Sequence, residues 1–172
     1  MAQPGTARPS TPTPSPRELQ RLDRQLCFAL YSTSLLMTKL YKPVLAPLAL
    51  TYPQYLVMLV LWEVDTGPAA QRSAIGVGEL GARLYLDSGT LTPLLKRMEV
   101  AGLLQRTRAA DDERRVIVTL TTAGRALRRR AEAVPLQVAC ATGCRLAEIS
   151  ALTSQLQALR SNVAGHLEPA AA

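Results

Sequence analysis

Histidine occurs once in these 172 residues, cysteine three times, and no apolar run is long. Each shortage excludes something. The longest apolar stretch, Tyr55 to Trp62, is too short to span a bilayer and fits a buried helix. The first sixteen residues hold Pro4, Pro9, Pro12, Pro14 and Pro16 among Ser and Thr, with no apolar segment. They read as a disordered tail and not as a signal peptide. Three cysteines without a secretion signal argue against a disulfide framework and for free thiols in a reducing cytoplasm. Cys140 and Cys144 lie near one another, but with a single distant His166 they make a poor zinc set. No metal or other cofactor is expected, and no membrane partner.

What is present is concentrated between Gly78 and Thr121. Gly78 to Tyr85 is a short amphipathic helix, and Leu86-Asp87 a tight turn. Ser88 to Gly102 reads as a capped second helix. Two strand-like runs follow, Leu103 to Arg108 and Arg114 to Leu120, joined by the polar tip Ala109 to Glu113. Helix, turn, helix and hairpin in that order make a winged helix-turn-helix, whose second helix fits a B-DNA major groove. The expected fold class is mainly α with a small β wing, a winged helix-turn-helix domain plus a helical dimerisation region.

Spacing sorts the second helix into two faces. Leu91, Leu94, Leu95 and Met98 recur at helical period and form a core stripe. The other face carries Ser88, Gly89, Thr90, Thr92, Pro93, Lys96 and Arg97, all small, hydroxylic or cationic. Small residues let the helix N-terminus approach base edges and phosphates, and the two cations one turn later suit phosphate or guanine. Such a face also fits an ordinary solvated helix. The hairpin adds weight, because Arg106, Arg108, Arg114 and Arg115 bracket the acids Asp111, Asp112 and Glu113. Asp112 could hold an arginine in a bidentate pair and aim it at a minor groove. From Arg83 to Arg130 there are eleven Lys or Arg against five Asp or Glu, a net of +6 where the whole chain carries +7. The basic excess sits on the proposed DNA module.

The flanks read as helices. Leu19, Leu22, Leu26, Leu30, Met37, Leu40 and Val44 suggest one long helix ending near Pro43, and Thr51 a cap for the next, running to about Val64. Asp65 to Ser73 is a surface loop. Thr121 or Thr122 caps an arginine-rich helix that Pro135 interrupts or bends and Gly143 ends. Leu146, Ile149, Leu152, Leu156, Leu159 and Val163 lie close to a heptad stripe in a last helix. The expected organisation is a Pro-rich tail at 1–17, one domain at 18–165 and a flexible tail at 166–172. Within that domain the winged module covers about 75–122, flanked by dimerisation helices at about 18–50 and 123–165. Helical stripes around so small a module favour a homodimer, although packing within one subunit would also use them.

Five segments carry a family resemblance. Asp87-Ser-Gly-Thr-Leu-Thr-Pro-Leu-Leu-Lys-Arg97, Asp112-Glu-Arg114 and Leu120-Thr121 resemble the MarR-type winged-helix regulators. Leu26-Cys27-Phe28-Ala29-Leu30-Tyr31-Ser32 and Leu50-Thr-Tyr-Pro-Gln-Tyr55 look like the organic-hydroperoxide-sensing branch, the OhrR repressors. The similarity runs from about Leu19 to Val163. Taken bare, Cys27 is a cysteine on an apolar helix, of the kind that is usually inert. The resemblance implies instead that it is the peroxide-reactive thiol, with Tyr41 and Tyr52 as hydroxyl donors to its thiolate. Tyr41 lies about 21 Å along a straight helix from Cys27, so such a donor would have to come from the partner chain. The resemblance also implies a resolving thiol toward the C-terminus, a place that Cys140 matches better than Cys144.

The reading is a cytoplasmic, homodimeric transcriptional repressor that binds double-stranded operator DNA and is released when an organic hydroperoxide, its inducer, oxidises Cys27. A MarR-type regulator released by a small phenolic or aromatic ligand is the alternative within the class. A thiol peroxidase using Cys27 and Cys140 is the alternative outside it, and it leaves the basic winged module without a use; no enzyme is expected.

Overall fold

The computed structural model describes residues 15–66, 74–109, 112 and 114–167. Most of the expected N-terminal tail, most of the Asp65–Ser73 loop, and Asp111 and Glu113 of the wing tip lie outside the described residues. The chain divides into two compact units, one ending at Lys39 and one starting at Leu40.

The first unit departs from the single long helix expected from Leu19 onward. A short helix α1 spans Pro16–Leu19, started by Ser15, whose hydroxyl accepts the Glu18 N–H while Glu18 accepts the Ser15 N–H. A 3₁₀ turn at Leu22–Arg24 follows, and α2 begins only at Leu26. The break has local causes. Gln25 takes an extended backbone (ψ 114°), its side chain donates to the Leu19 carbonyl, and Arg21 pairs with Asp23 at 3.0 Å. Helix α2 runs to Leu45, past Pro43. Proline removes one donor and strains one turn, which shifts a helix end without fixing it. The end comes through a 3₁₀ turn, Ala46–Leu48, and left-handed Ala49 at φ 54°.

The second unit is built around α3 (Tyr52–Thr66), whose Tyr55, Val57, Met58, Val60, Leu61 and Trp62 are buried. The Gln54 carboxamide accepts both the N–H and the hydroxyl of Thr51, which closes the helix start. Then come β1 (Ala74–Gly76), α4 (Val77–Leu84), α5 (Ser88–Val100), β2 (Leu104–Arg108), β3 (Val116–Leu120), α6 (Thr122–Ala131), α7 (Val134–Thr142) and α8 (Leu146–Leu167). The three strands form one antiparallel sheet in the order β1-β3-β2. Strand β1 has only three residues and no sequence signal of its own. It exists because β3 offers an edge, with Ile75 opposite Val118. The wing strands are shorter than the apolar runs suggest, because Arg114 and Arg115 belong to the turn.

Three contacts lock this unit. The Trp62 indole N–H donates to the Gly124 carbonyl at 2.9 Å. Gly124 lies so close to the Leu103 carbonyl that a Cβ would stand 2.0 Å from its oxygen. Thr121, and not Thr122, caps α6, accepting the Gly124 N–H at 3.0 Å and donating to the Gly102 carbonyl at 2.6 Å. Pro135 occupies the first turn of α7, and left-handed Gly143 at φ 69° closes that helix. Among the described residues no single helix is long and apolar enough to cross a membrane.

Candidate nucleic-acid interface and thiol site

Helix α5 is divided as its spacing requires. Leu91, Leu94, Leu95 and Met98 are buried, each worth about 2 kcal/mol of apolar transfer. Ser88, Gly89, Thr90, Thr92, Pro93, Lys96 and Arg97 are all exposed. The start is fixed by Asp87, whose carboxylate accepts the Thr90 N–H and hydroxyl, each at 2.9 Å. Those bonds hold its carboxyl below the usual carboxylate range. The turn before it is equally determined: Tyr85 closes α4 in the left-handed region at φ 55°, and a Cβ on Gly81 would meet the Leu86 carbonyl at 2.8 Å. Small and hydroxylic residues therefore stand exposed in the first turns of a capped helix, with the cations Lys96 and Arg97 exposed further along it.

The wing arginines divide. Arg108, Arg114 and Arg115 are exposed. Asp112 accepts the backbone N–H of Arg114 at 3.0 Å, so this acid shapes the turn, where the sequence suggests a grip on the guanidinium. Arg106 is committed elsewhere: its backbone N–H and guanidinium both donate to Glu99 of α5, at 2.7–2.9 Å. This pairing keeps the Glu99 carboxyl below its ordinary range. Between wing and helices lies an open cleft of about 440 Å³ whose lining includes Thr92, Arg106, Asp112 and Arg114. Arg125 is also engaged, with Asp65 of α3 at 3.0 Å, and Arg130 donates to the Pro47 carbonyl.

The tyrosines expected to serve a thiolate stand together. The Tyr41 and Tyr52 ring centroids are 4.4 Å apart, and Tyr55 joins them 6.0 Å from Tyr41. Burial, then the neighbouring Tyr52 and Tyr55, push the Tyr41 hydroxyl up to about 12. Tyr52 is raised by burial as well. At neutral pH both keep their protons and can donate. Cys27 is exposed on the first turn of α2. Cys140 is exposed on α7, and Cys144 is exposed beyond it with its thiol toward the Thr142 carbonyl at 3.7 Å. Among the described residues no group of three or more His, Cys, Asp or Glu could hold a metal ion.

Residues 39–130 match the family model of the SarA/Rot transcriptional regulators. The organic hydroperoxide resistance transcriptional regulator of Bacillus subtilis is 50% identical over 115 residues, covering 67% of this chain and 73% of the relative. The regulator TtmR of Methylorubrum extorquens is 45% identical over 144 residues, 84% of this chain and 70% of TtmR. Among solved structures, reduced AbfR bound to DNA superposes with a TM-score of 0.65 at 33% identity, over 86% of this chain and 97% of AbfR. AbfR, from Staphylococcus epidermidis, is also known overoxidised on DNA and in a disulfide-formed state. This chain is a MarR-type transcriptional regulator of the OhrR branch.

In this MarR-type regulator, three participants carry little or no signal in the sequence. Glu99 gives none, because a single acid late in a helix is common. Tyr55 reads as core, which it is, at 2% exposure, although its ring also borders Tyr41. Asp65 reads as the start of a loop, yet it belongs to the last turn of α3 and occupies Arg125. An acid at a helix end opposite an arginine-rich helix is the available hint.

Proposed function

We propose that this regulator is a homodimeric repressor that binds operator DNA through α5 and the wing, and is released when an organic hydroperoxide oxidises Cys27. The observation that carries the DNA reading is the face of α5: every residue of that helix expected to touch DNA is exposed, on a helix whose start is capped and whose back is buried. Lys96 and Arg97 would meet phosphate or guanine, and Arg108, Arg114 and Arg115 of the wing the neighbouring minor groove. Support for dimerisation comes from the unpartnered helices. Leu30, Leu36, Leu152 and Leu156 are between 38% and 63% exposed, which a chain alone in water does not favour.

The redox step is supported by the exposed Cys27 and by one relative, AbfR, known in reduced, overoxidised and disulfide states. The Cys27 thiolate attacks the peroxide oxygen, the O–O bond breaks, and the leaving alkoxide takes a proton from water, so that sulfenic acid and an alcohol form and hydroxide is released. The Cys140 thiol then displaces water from the sulfenic acid to give a disulfide. Cys140 is preferred to Cys144, whose thiol already faces a carbonyl. Tyr41 and Tyr52, protonated at neutral pH, are suited to donate to the thiolate. A gel shift on the gene's own upstream DNA, with and without cumene hydroperoxide, tests this. Wild type should lose binding and regain it with dithiothreitol, while Cys27→Ser should bind and ignore peroxide. A Cys27→Ser protein that still leaves DNA on peroxide would overturn the redox reading.

A further inference from the structure

Glu99 stands where a helix disfavours a carboxylate. It is the last residue but one of α5, at the carbonyl end with its partial negative charge. Its oxygens accept three N–H groups from one residue: the Arg106 backbone at 2.8 Å, Nε at 2.9 Å and Nη2 at 2.7 Å. The two side chains, Arg106 and Glu99, are only 24% and 33% exposed. The chain between them is closed a second time by its own backbone. Gly102, left-handed at φ 72°, donates to the Glu99 carbonyl at 2.9 Å, and Leu103 donates to Met98 at 3.1 Å. Recognition helix and β2 are thus tied by a backbone turn and by a fork of charged bonds that spans it.

We propose that Glu99 is a positioning residue that holds the wing at a fixed pitch against α5, and that Arg106 serves this clamp without touching DNA. The inference rests on the DNA reading above and reassigns one arginine within it. Leverage explains why pitch matters. A tilt of about 10° at Arg106 moves a wing tip about 13 Å away by about 2 Å, more than a hydrogen bond tolerates. Arg114 at the turn depends on that angle, whereas Lys96 and Arg97, on α5 itself, do not.

The two roles for Arg106 differ in sign. If Glu99 positions the wing, Glu99→Ala lowers affinity for an operator with A·T-rich flanks about tenfold. Base discrimination beneath α5 then stays within about twofold. Arg106→Ala gives the same flank-selective loss, the double variant is no worse than either single one, and Glu99→Gln, which keeps the acceptor but not the charge, is intermediate. If Arg106 instead bound DNA, Glu99→Ala would free it and remove a negative charge, and affinity would rise. A rise, or an equal loss on every DNA, overturns the clamp. Hydrogen exchange in the DNA-free protein gives a second test. Amides of β2 and β3 should exchange at least about fivefold faster in Glu99→Ala while those of α3 are unchanged, and unchanged wing exchange also overturns it. Wild type that binds no DNA at all would count against the DNA reading, and exchange would still decide the clamp.

Discussion

Helix α5 with its wing and the pair α2 and α8 are built on opposite terms. The first is complete within one chain. It has a buried stripe, a carboxylate cap at its start, a charged fork at its end and a sheet behind it. The second is unfinished. Helix α8 runs for 22 residues with none buried, and Leu45 is the one buried residue of α2. Both regions are apolar at helical spacing, so periodicity alone does not separate them. The difference lies in what meets the stripe. The α5 stripe meets its own chain, whereas Leu30, Leu35 and Leu36 of α2 and Leu152 and Leu156 of α8 stay exposed.

The largest effect should come from breaking the complete region at its tightest point. Gly124→Ala places a methyl carbon 2.0 Å from the Leu103 carbonyl oxygen, beside the indole bond that joins α3 to α6. The backbone must move to admit it, at about 3 kcal/mol. A thermal midpoint lowered by several degrees, with DNA affinity falling as the folded fraction falls, is the expected result. An unchanged midpoint would mean that the close approach is not rigid.

The same contrast separates what is legible in the sequence from what is not. The faces of α5 are legible residue by residue, because a helix stripe depends only on neighbours three and four positions away. The tight turn at Leu86-Asp87 is legible for the same local reason, and the α6 cap is legible down to Thr121 or Thr122, between which the structure chooses Thr121. What stays hidden depends on partners far along the chain or across a reversal. Strand β1 needs β3 beside it, the Arg106 commitment needs the turn at Gly102, and the Arg125 pairing needs the end of α3. The expected single helix from Leu19 fails differently. Its apolar spacing is real, but Gln25 and the Arg21–Asp23 pair stop the backbone locally.

A smaller effect should follow from charging the unfinished region. Leu36 of α2 and Leu152 of α8 are 63% and 54% exposed, so an aspartate at either place costs the isolated chain little. At a subunit interface it would be desolvated against apolar neighbours, and the dimer dissociation constant should rise about thirtyfold or more. Sedimentation across a concentration series would read this, with far-UV circular dichroism as the check on folding. A variant as dimeric as wild type would take that residue out of the interface. Lost helicity instead would show that the stripe packs within its own chain.

The smallest effect at neutral pH is expected from Tyr41→Phe, and it reports on the end of α2 that packs on α3. Tyr41 lies near the C-terminal end of α2, where the helix passes from exposed leucines to a ring cluster with Tyr52 and Tyr55. Burial raises its hydroxyl to about 12 from an ordinary value of 10.0. A folded-state pKa above the unfolded one stabilises fully below pH 10, and that share is lost as pH rises toward 12. Wild type should therefore lose stability over this alkaline window, and Tyr41→Phe should lose less. At neutral pH the variant removes a hydroxyl without emptying the ring's place, so folding and DNA affinity should stay close to wild type. Oxidation of Cys27 should slow if that hydroxyl does donate to the thiolate. Denaturant unfolding across alkaline pH and the rate of sulfenic acid formation at pH 7 separate the two roles of one oxygen. A reduced alkaline loss with unchanged oxidation would assign Tyr41 to packing against Tyr52 and Tyr55 alone.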